Sequence, residues 1–251
     1  MPQTITITFC ECAENHVGME QIGLKAETGF SYTDLKSFKR TLRGLNIDTQ
    51  IYSINLESTD ASANTNPAHK AYILIARCAV DAVIQGNLMQ ELTDLEWDTT
   101  ARMYGRVVNK KARHNLCFAD YSQEPTYAQG KGTIVSFADL PLLGELRQFL
   151  NELTGDNLLA EGNLYYDVNT CGIGYHGDSE RRKVVGVRLG SSIPLVYQWF
   201  YQSQPIGSKY EFVLNDGDIY IMSDKAVGFD WKLRNSYTLR HAAGSAKYTG
   251  L

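Results

Sequence analysis

Residues 164–189 read LYYDVNTCGIGYHGDSERRKVVGVRL. Three strand-like runs, 164–166, 173–176 and 184–189, are separated by turns rich in Gly, Asp and Asn. The middle run ends in Tyr175-His176-Gly177-Asp178. A histidine and an aspartate two residues apart at a strand end present an imidazole and a carboxylate to the same side. Together they form two thirds of the 2-His-1-carboxylate face that holds non-haem Fe(II) with open positions. An isolated His-x-Asp is a weak signal; its place among many short strands gives it weight.

Moving outward, 132–137, 193–200, 210–214, 218–222 and 236–241 also read as strands between Gly and Asp turns. A single amphipathic helix is predicted at 141–153, PLLGELRQFLNEL. Short strands at this spacing indicate a sandwich, barrel or jelly roll. Upstream, 5–9 (ITITF), 49–54 and 71–76 read as strands. Residues 32–45, with a Thr33-Asp34 start and a stop near Gly44, read as a helix. The polar stretch 57–69, ESTDASANTNPAH, reads as a loop. The expected division is an N-terminal α+β region, 1–92, with no assigned role, and a β-rich domain, 93–251.

Composition narrows the function classes. The chain has 251 residues, 43% hydrophobic and 21% charged, which is ordinary globular usage. No apolar run approaches the roughly 18 residues that span a bilayer, and no basic, apolar leader opens the chain. A net charge of −4 argues against a protein that holds long nucleic acid mainly through phosphate contacts. Five cysteines, Cys10, Cys12, Cys78, Cys117 and Cys171, are an odd number in a large chain. They suggest thiols rather than a disulfide framework, and an intracellular, reducing compartment, cytoplasm or nucleus. Cys10 and Cys12 lack the second pair that a zinc site needs.

The segment from Asn163 through Asp167 and on to Arg181 resembles the core motif of the AlkB-like Fe(II)/2-oxoglutarate dioxygenases. Gly217-Asp218-Ile219-Tyr220-Ile221-Met222 resembles that family's glycine-acid strand. Lys110-Lys111-Ala112-Arg113, Phe118-Ala119-Asp120 and 130–137 resemble its upstream turns and strand. The similarity covers roughly 95–245, and the chain is also similar to AlkB-like open reading frames of large DNA viruses. The resemblance implies a double-stranded β-helix (jelly-roll) core within an α+β, mainly β chain. It implies Fe(II) and 2-oxoglutarate as cofactors, O2 as co-substrate and succinate and CO2 as products. The substrate it implies is a modified nucleobase or nucleotide, hydroxylated or oxidatively demethylated. Asp178 favours hydroxylation over halogenation, because related halogenases carry Gly or Ala there. Tyr166 falls where the family's 2-oxoglutarate tyrosine stands.

The distal histidine of that family has no counterpart in its usual window, which here holds Phe229-Asp230-Trp231-Lys232. Downstream, Arg234-x-Ser236-x-Thr238-x-Arg240 resembles the family's arginine-spaced strand, whose arginines bind 2-oxoglutarate and lie near the substrate. The one histidine after the motif is His241. An alternative register makes 238–241 the ligand strand, 242–245 a tight turn and 246–249 the last strand. Lys247 and Thr249 would then form the carboxylate clamp. Three readings stay open: His176, Asp178 and His241 as ligands; Asp230 as the third ligand; or a fold that has lost its metal and serves in binding alone. Lys110, Arg113, Asp120, Glu180 and Arg181 are candidates for substrate contact. His16 reads as a surface or substrate-facing group, His69 as a loop residue and His114 as part of the basic 110–114 cluster. The aromatic run at 197–201 reads as core. Competing functions are a hydroxylase of a free nucleotide or other small metabolite, and a non-catalytic nucleic-acid-binding jelly roll.

Overall fold

The computed structural model describes residues 1–57 and 66–251. In chain order the elements are β1 (Thr4–Cys10), β2 (Cys12–Glu14), β3 (Gln21–Gly23), α1 (Tyr32–Gly44), β4 (Thr49–Ser53), β5 (Tyr72–Ala76), α2 (Ala79–Val83) and α3 (Leu88–Thr93). There follow β6 (Thr100–Met103), β7 (Arg106–Asn109), β8 (His114–Ala119), β9 (Ile134–Ser136), α4 (Pro141–Thr154), β10 (Leu159–Tyr165), β11 (Gly172–His176) and β12 (Val184–Gly190). The chain ends with β13 (Ile193–Tyr201), β14 (Gln204–Leu214), β15 (Ile219–Met222), α5 (Asp224–Val227), β16 (Thr238–Gly244) and α6 (Ala246–Thr249). The architecture is α+β and mainly β. Of the loop expected at 57–69, residues 58–65 lie outside the described residues, and Pro67–His69 form a 3-10 turn.

Alternation in β1 explains the large sheet. Its order is β4-β5-β15-β12-β1-β10-β8-β9. β1 sits between β10 and β12, antiparallel to both, with Thr6 opposite Asn163 and Arg188. Ile5, Ile7 and Phe9 face one way, into a core with Val185, Val187 and Leu189 of β12. Helices α1 and α4 close that core with Leu35, Phe38 and Leu42 and with Leu143, Leu146 and Leu150. The spacing of those leucines is the helical apolar stripe. Each fully buried side chain of this size contributes roughly 1.5–3 kcal/mol. Helix α1 begins at a capping box in which Ser31 and Asp34 satisfy one another's backbone amides. Helix α4 starts at Pro141 and ends at left-handed Gly155.

Thr6 and Thr8 face the other way, toward a second sheet ordered β11-β16-β13-β14. The two sheets share a core that joins Ile73, Ile75, Val184, Tyr220 and Met222 of the first to Leu195, Tyr197, Trp199, Leu239 and Ala243 of the second. The aromatic run of β13 is therefore core, as its alternation implies: Tyr197 and Trp199 are buried between the sheets. Gly186 makes room in this layer. A Cβ there would lie 1.9 Å from Cζ of Tyr220, its cross-strand partner.

Two expectations are corrected. Residues 1–92 supply β1, β4 and β5 to the same sheet that holds β8, β10, β12 and β15, so no break in sheet or core falls at residue 92. Residues 246–249 are not a strand. β16 pairs with β11 as far as Gly244 opposite Gly172. Beyond it the Ser245 amide donates to the Cys171 carbonyl, and the amides of Tyr248, Thr249 and Gly250 are satisfied within the single turn of α6.

Candidate metal centre and cavity

The His-Gly-Asp turn lies at the end of β11, where the ladder with β16 resumes after an irregularity and sets His176 directly opposite His241. On its other side His241 is opposite Tyr197 of β13. The His176 and His241 rings are 4.5 Å apart, centroid to centroid. Asp178 Oδ1 is 3.6 Å from His176 Nε2 and 3.9 Å from His241 Nε2. One donor atom from each of the three lies within 4.8 Å of the others. His176 Nδ1 is 2.8 Å from the Gly174 carbonyl, to which it donates, leaving Nε2 with a free lone pair toward Asp178.

Close backbone approach fixes the turn. The Asp178 amide donates to the Val227 carbonyl at 3.0 Å. A Cβ on Gly177 would stand 2.0 Å from the carbonyl oxygen of Gly228, the left-handed residue that caps α5. Behind Asp178, buried Arg181 bonds Glu161 at 2.5 Å and Glu180 at 2.7 Å, and its Nε is 3.9 Å from Asp178 Oδ2.

Burial dominates the electrostatics of the cluster. Burial pushes His176 down to about 4 and His241 well below its usual value, where His176 and Arg181 add to the effect. Burial raises Asp178, against the pull of Arg181. Two neutral imidazoles and a desolvated carboxylate converge on one point. That is the donor set of a borderline divalent transition metal rather than of Mg2+ or Ca2+, which take oxygen ligands. The residues present fit such an ion.

The cluster opens onto a cavity of about 560 Å³ between the two sheets, within the range of small-ligand sites. From the large sheet come Thr6, Thr8, Glu161, Asn163, Tyr165, Val184, Arg188, Tyr220 and Met222, which alternate along β1, β10, β12 and β15. The second sheet gives Ile173, Leu195, His241 and Ala243. His16, Val17, Gly18, Trp231 and Lys232 complete the lining, and Val17 is 76% exposed at the rim.

Three of the five substrate candidates, Arg113, Glu180 and Arg181, line this cavity; Lys110 and Asp120 do not. Lys110 Nζ donates to Asn15 at 2.9 Å, and burial lowers it to about 8. Asp120 pairs with Arg147. None of the five 2-oxoglutarate candidates lines it. Tyr166 points away, with its hydroxyl donating to the Lys111 carbonyl at 2.7 Å and its ring on His114. Tyr165, one residue earlier on β10, takes the inward position. Lys247 and Thr249 lie on α6, and Arg234 is exposed. Arg240, next to His241 on β16, faces the opposite side and stacks on Phe200 and Trp231. Asp230 binds Lys225 at 2.7 Å and is not part of the cluster. His16 is at the cavity, whereas His69 and His114 are not. Arg188 is the cationic residue that sequence reasoning passed over, although a lone charge in VVGVRLG was a signal.

No protein-family model matches the chain. It is 52% identical over 250 residues to "Uncharacterized protein R156" of Acanthamoeba polyphaga mimivirus, an alignment that takes in 98% of this chain and 97% of that protein. The chain belongs to the family of that mimivirus protein.

Proposed function

We propose that this protein is an AlkB-like Fe(II)- and 2-oxoglutarate-dependent oxygenase on a double-stranded β-helix core. It hydroxylates or oxidatively demethylates a modified nucleobase or nucleotide and releases succinate and CO2. The observation that carries this reading is the convergence of His176, Asp178 and His241 at the wall of a ligand-sized cavity. Two sheets that face one another across that cavity support the jelly-roll core. His176, Asp178 and His241 would hold the iron, which supplies activation of O2 coupled to oxidation of the oxo acid. The chain positions the ligands. The Gly174 carbonyl selects the His176 tautomer, Arg181 sits behind the Asp178 carboxylate, and the apolar inter-sheet core excludes bulk water beside the cluster.

A specific observation favours a small substrate, a free nucleotide or another metabolite, over a long polymer. Of the basic residues Lys110, Lys111, Arg113, Arg181 and Arg182, Arg181 is paired with Glu161 and Glu180, Arg182 with Asp224, Lys110 is bound to Asn15, and Lys111 is exposed. Arg113 reaches the cavity but already donates to Asn163. Four of these five cations therefore already have protein partners, which leaves less charge to track a phosphate backbone. The test is succinate formation from 2-oxoglutarate with Fe(II), measured by NMR with methylated mononucleotides and oligonucleotides offered in parallel. Turnover with mononucleotides alone selects the small-substrate form. Salt-dependent oligonucleotide binding with no metal uptake and no succinate would replace the proposal with a binding module.

A further inference from the structure

We propose that Arg188 of β12, rather than any residue of the C-terminal segment, binds the far carboxylate of the dicarboxylic oxo acid in this cavity. The inference rests on the oxygenase reading and names the anchor that reading lacks.

Arg188 is 1% exposed and lines the cavity. Its guanidinium makes one side-chain hydrogen bond, from Nη1 to Thr6 Oγ1 at 2.7 Å, and its Nε has no partner. Among the described residues no carboxylate lies within ion-pair distance of it. The nearest candidate, Asp218, is taken: its carboxylate accepts from Arg77 at 2.5 Å and from the amides of Cys78 and Asn215. Thr6, Asn163, Tyr165 and Tyr220 of the lining are neutral, and Arg113, which donates to Asn163, is a second cation rather than a counter-charge. Tyr165 and Tyr220 both line the cavity, and both hydroxyls are held neutral by burial, with Tyr220 raised to about 12. A permanent cation is therefore buried without a counter-charge, which is costly unless an anion arrives to pair with it.

The contrast with Arg181 makes the argument sharper. Arg181 is equally buried, lines the same cavity and is neutralised by two carboxylates. Arg113 has Asn163 as its partner. Arg188 alone of the three arginines in the lining combines full burial with a free donor, and a guanidinium fork suits a carboxylate through paired N–H bonds. A dicarboxylate with one end at the metal cluster and the other at Arg188 would give this buried guanidinium the counter-charge it lacks. The clamps expected at Lys247, Thr249, Arg234 and Arg240 lie outside it.

The experiment is calorimetric binding to the Zn(II)-loaded, oxygen-free protein, which reads affinity without turnover. The probes are 2-oxoglutarate, 2-oxovalerate (the same chelating end without the second carboxylate) and inorganic phosphate. Wild-type protein should bind 2-oxoglutarate on the order of 10²-fold more tightly than 2-oxovalerate, the effect of a charge-assisted pair. Arg188→Met should bind the two acids alike, Arg188→Lys should recover part of the preference, and metal stoichiometry should stay at the wild-type value. The ligand-free melting temperature of Arg188→Met should not fall, because an unpaired buried charge has been removed. An undiminished preference for 2-oxoglutarate in Arg188→Met would overturn the assignment and leave the oxygenase reading standing. So would phosphate binding lost on substitution while both acids bind unchanged. A wild-type protein that takes up metal but neither acid would overturn the oxygenase reading itself. Lower melting temperatures in both variants, with the acid preference intact, would make Arg188 a structural residue.

Discussion

Gly177→Ala is the most discriminating substitution at the candidate metal centre. The added Cβ would stand 2.0 Å from the Gly228 carbonyl oxygen, and ordinary contact begins at 3.4 Å. The Gly228 turn has no room to retreat, because its own Cα side faces the Leu239 carbonyl of β16, 2.5 Å from where a Cβ would be. The movement must therefore be taken by the His176–Asp178 turn and amounts to roughly 1.4 Å (3.4 less 2.0), beyond the roughly 1 Å at which misplacement weakens a site by about 10²-fold. Overpacking of this kind costs typically 1–3 kcal/mol of stability. Gly174→Ala, three residues earlier on the same strand, meets nothing within 4 Å and leaves untouched the backbone carbonyl that orients His176. Titration with Co(II), followed by its visible absorption, and a thermal melt should show weakened metal binding and a lowered melting temperature for Gly177→Ala. Gly174→Ala should be unchanged in both. Equal behaviour of the two variants would refute the claim that the Gly228 contact sets the position of Asp178.

His241→Ala should abolish both Fe(II) uptake and succinate formation; equilibrium dialysis against the metal checks the first independently of the second. Lys247→Ala and Arg234→Ala should leave the 2-oxoglutarate concentration needed for half-maximal turnover unchanged, because both residues lie outside the cavity; a several-fold rise in either would restore a C-terminal clamp. Lys110 has its folded value lowered to about 8 from 10.5 by burial, so the folded state binds fewer protons between those pH values. Its contribution to stability is present above about 10.5 and is lost as pH falls through about 8. Lys110→Met should accordingly flatten the rise in urea midpoint across that window; an unchanged slope would assign the rise to other groups.

The convergence of His176, Asp178 and His241 was legible because its information is local or scarce. His176 and Asp178 are two residues apart on one strand end, and a single histidine follows them. The rest depended on strand parity and on distant pairing. Tyr165 and Tyr166 are adjacent and both suit a binding role, but alternation sends one inward and the other to Lys111, and one residue of slip exchanges them. Lys247 was aligned to a strand that does not form, since the β11–β16 ladder ends at Gly244 and the chain turns into α6. Arg188 was hidden by its company: in an apolar strand its charge has meaning only once Thr6 and the cavity are seen beside it. Helix α1, by contrast, announced itself through its cap and its apolar spacing.

The central place of β1 sets the order of events during synthesis. Thr4–Cys10 is synthesised well before its two neighbours, Leu159–Tyr165 and Val184–Gly190. A strand with three apolar side chains on one face must wait for most of the chain before either edge is covered. Pairings of such long sequence separation are slow to form, and unpaired strand edges invite association with other chains. Production at low temperature, or with a chaperone that holds the N-terminal segment, should therefore improve the soluble yield more than any change near the C-terminus.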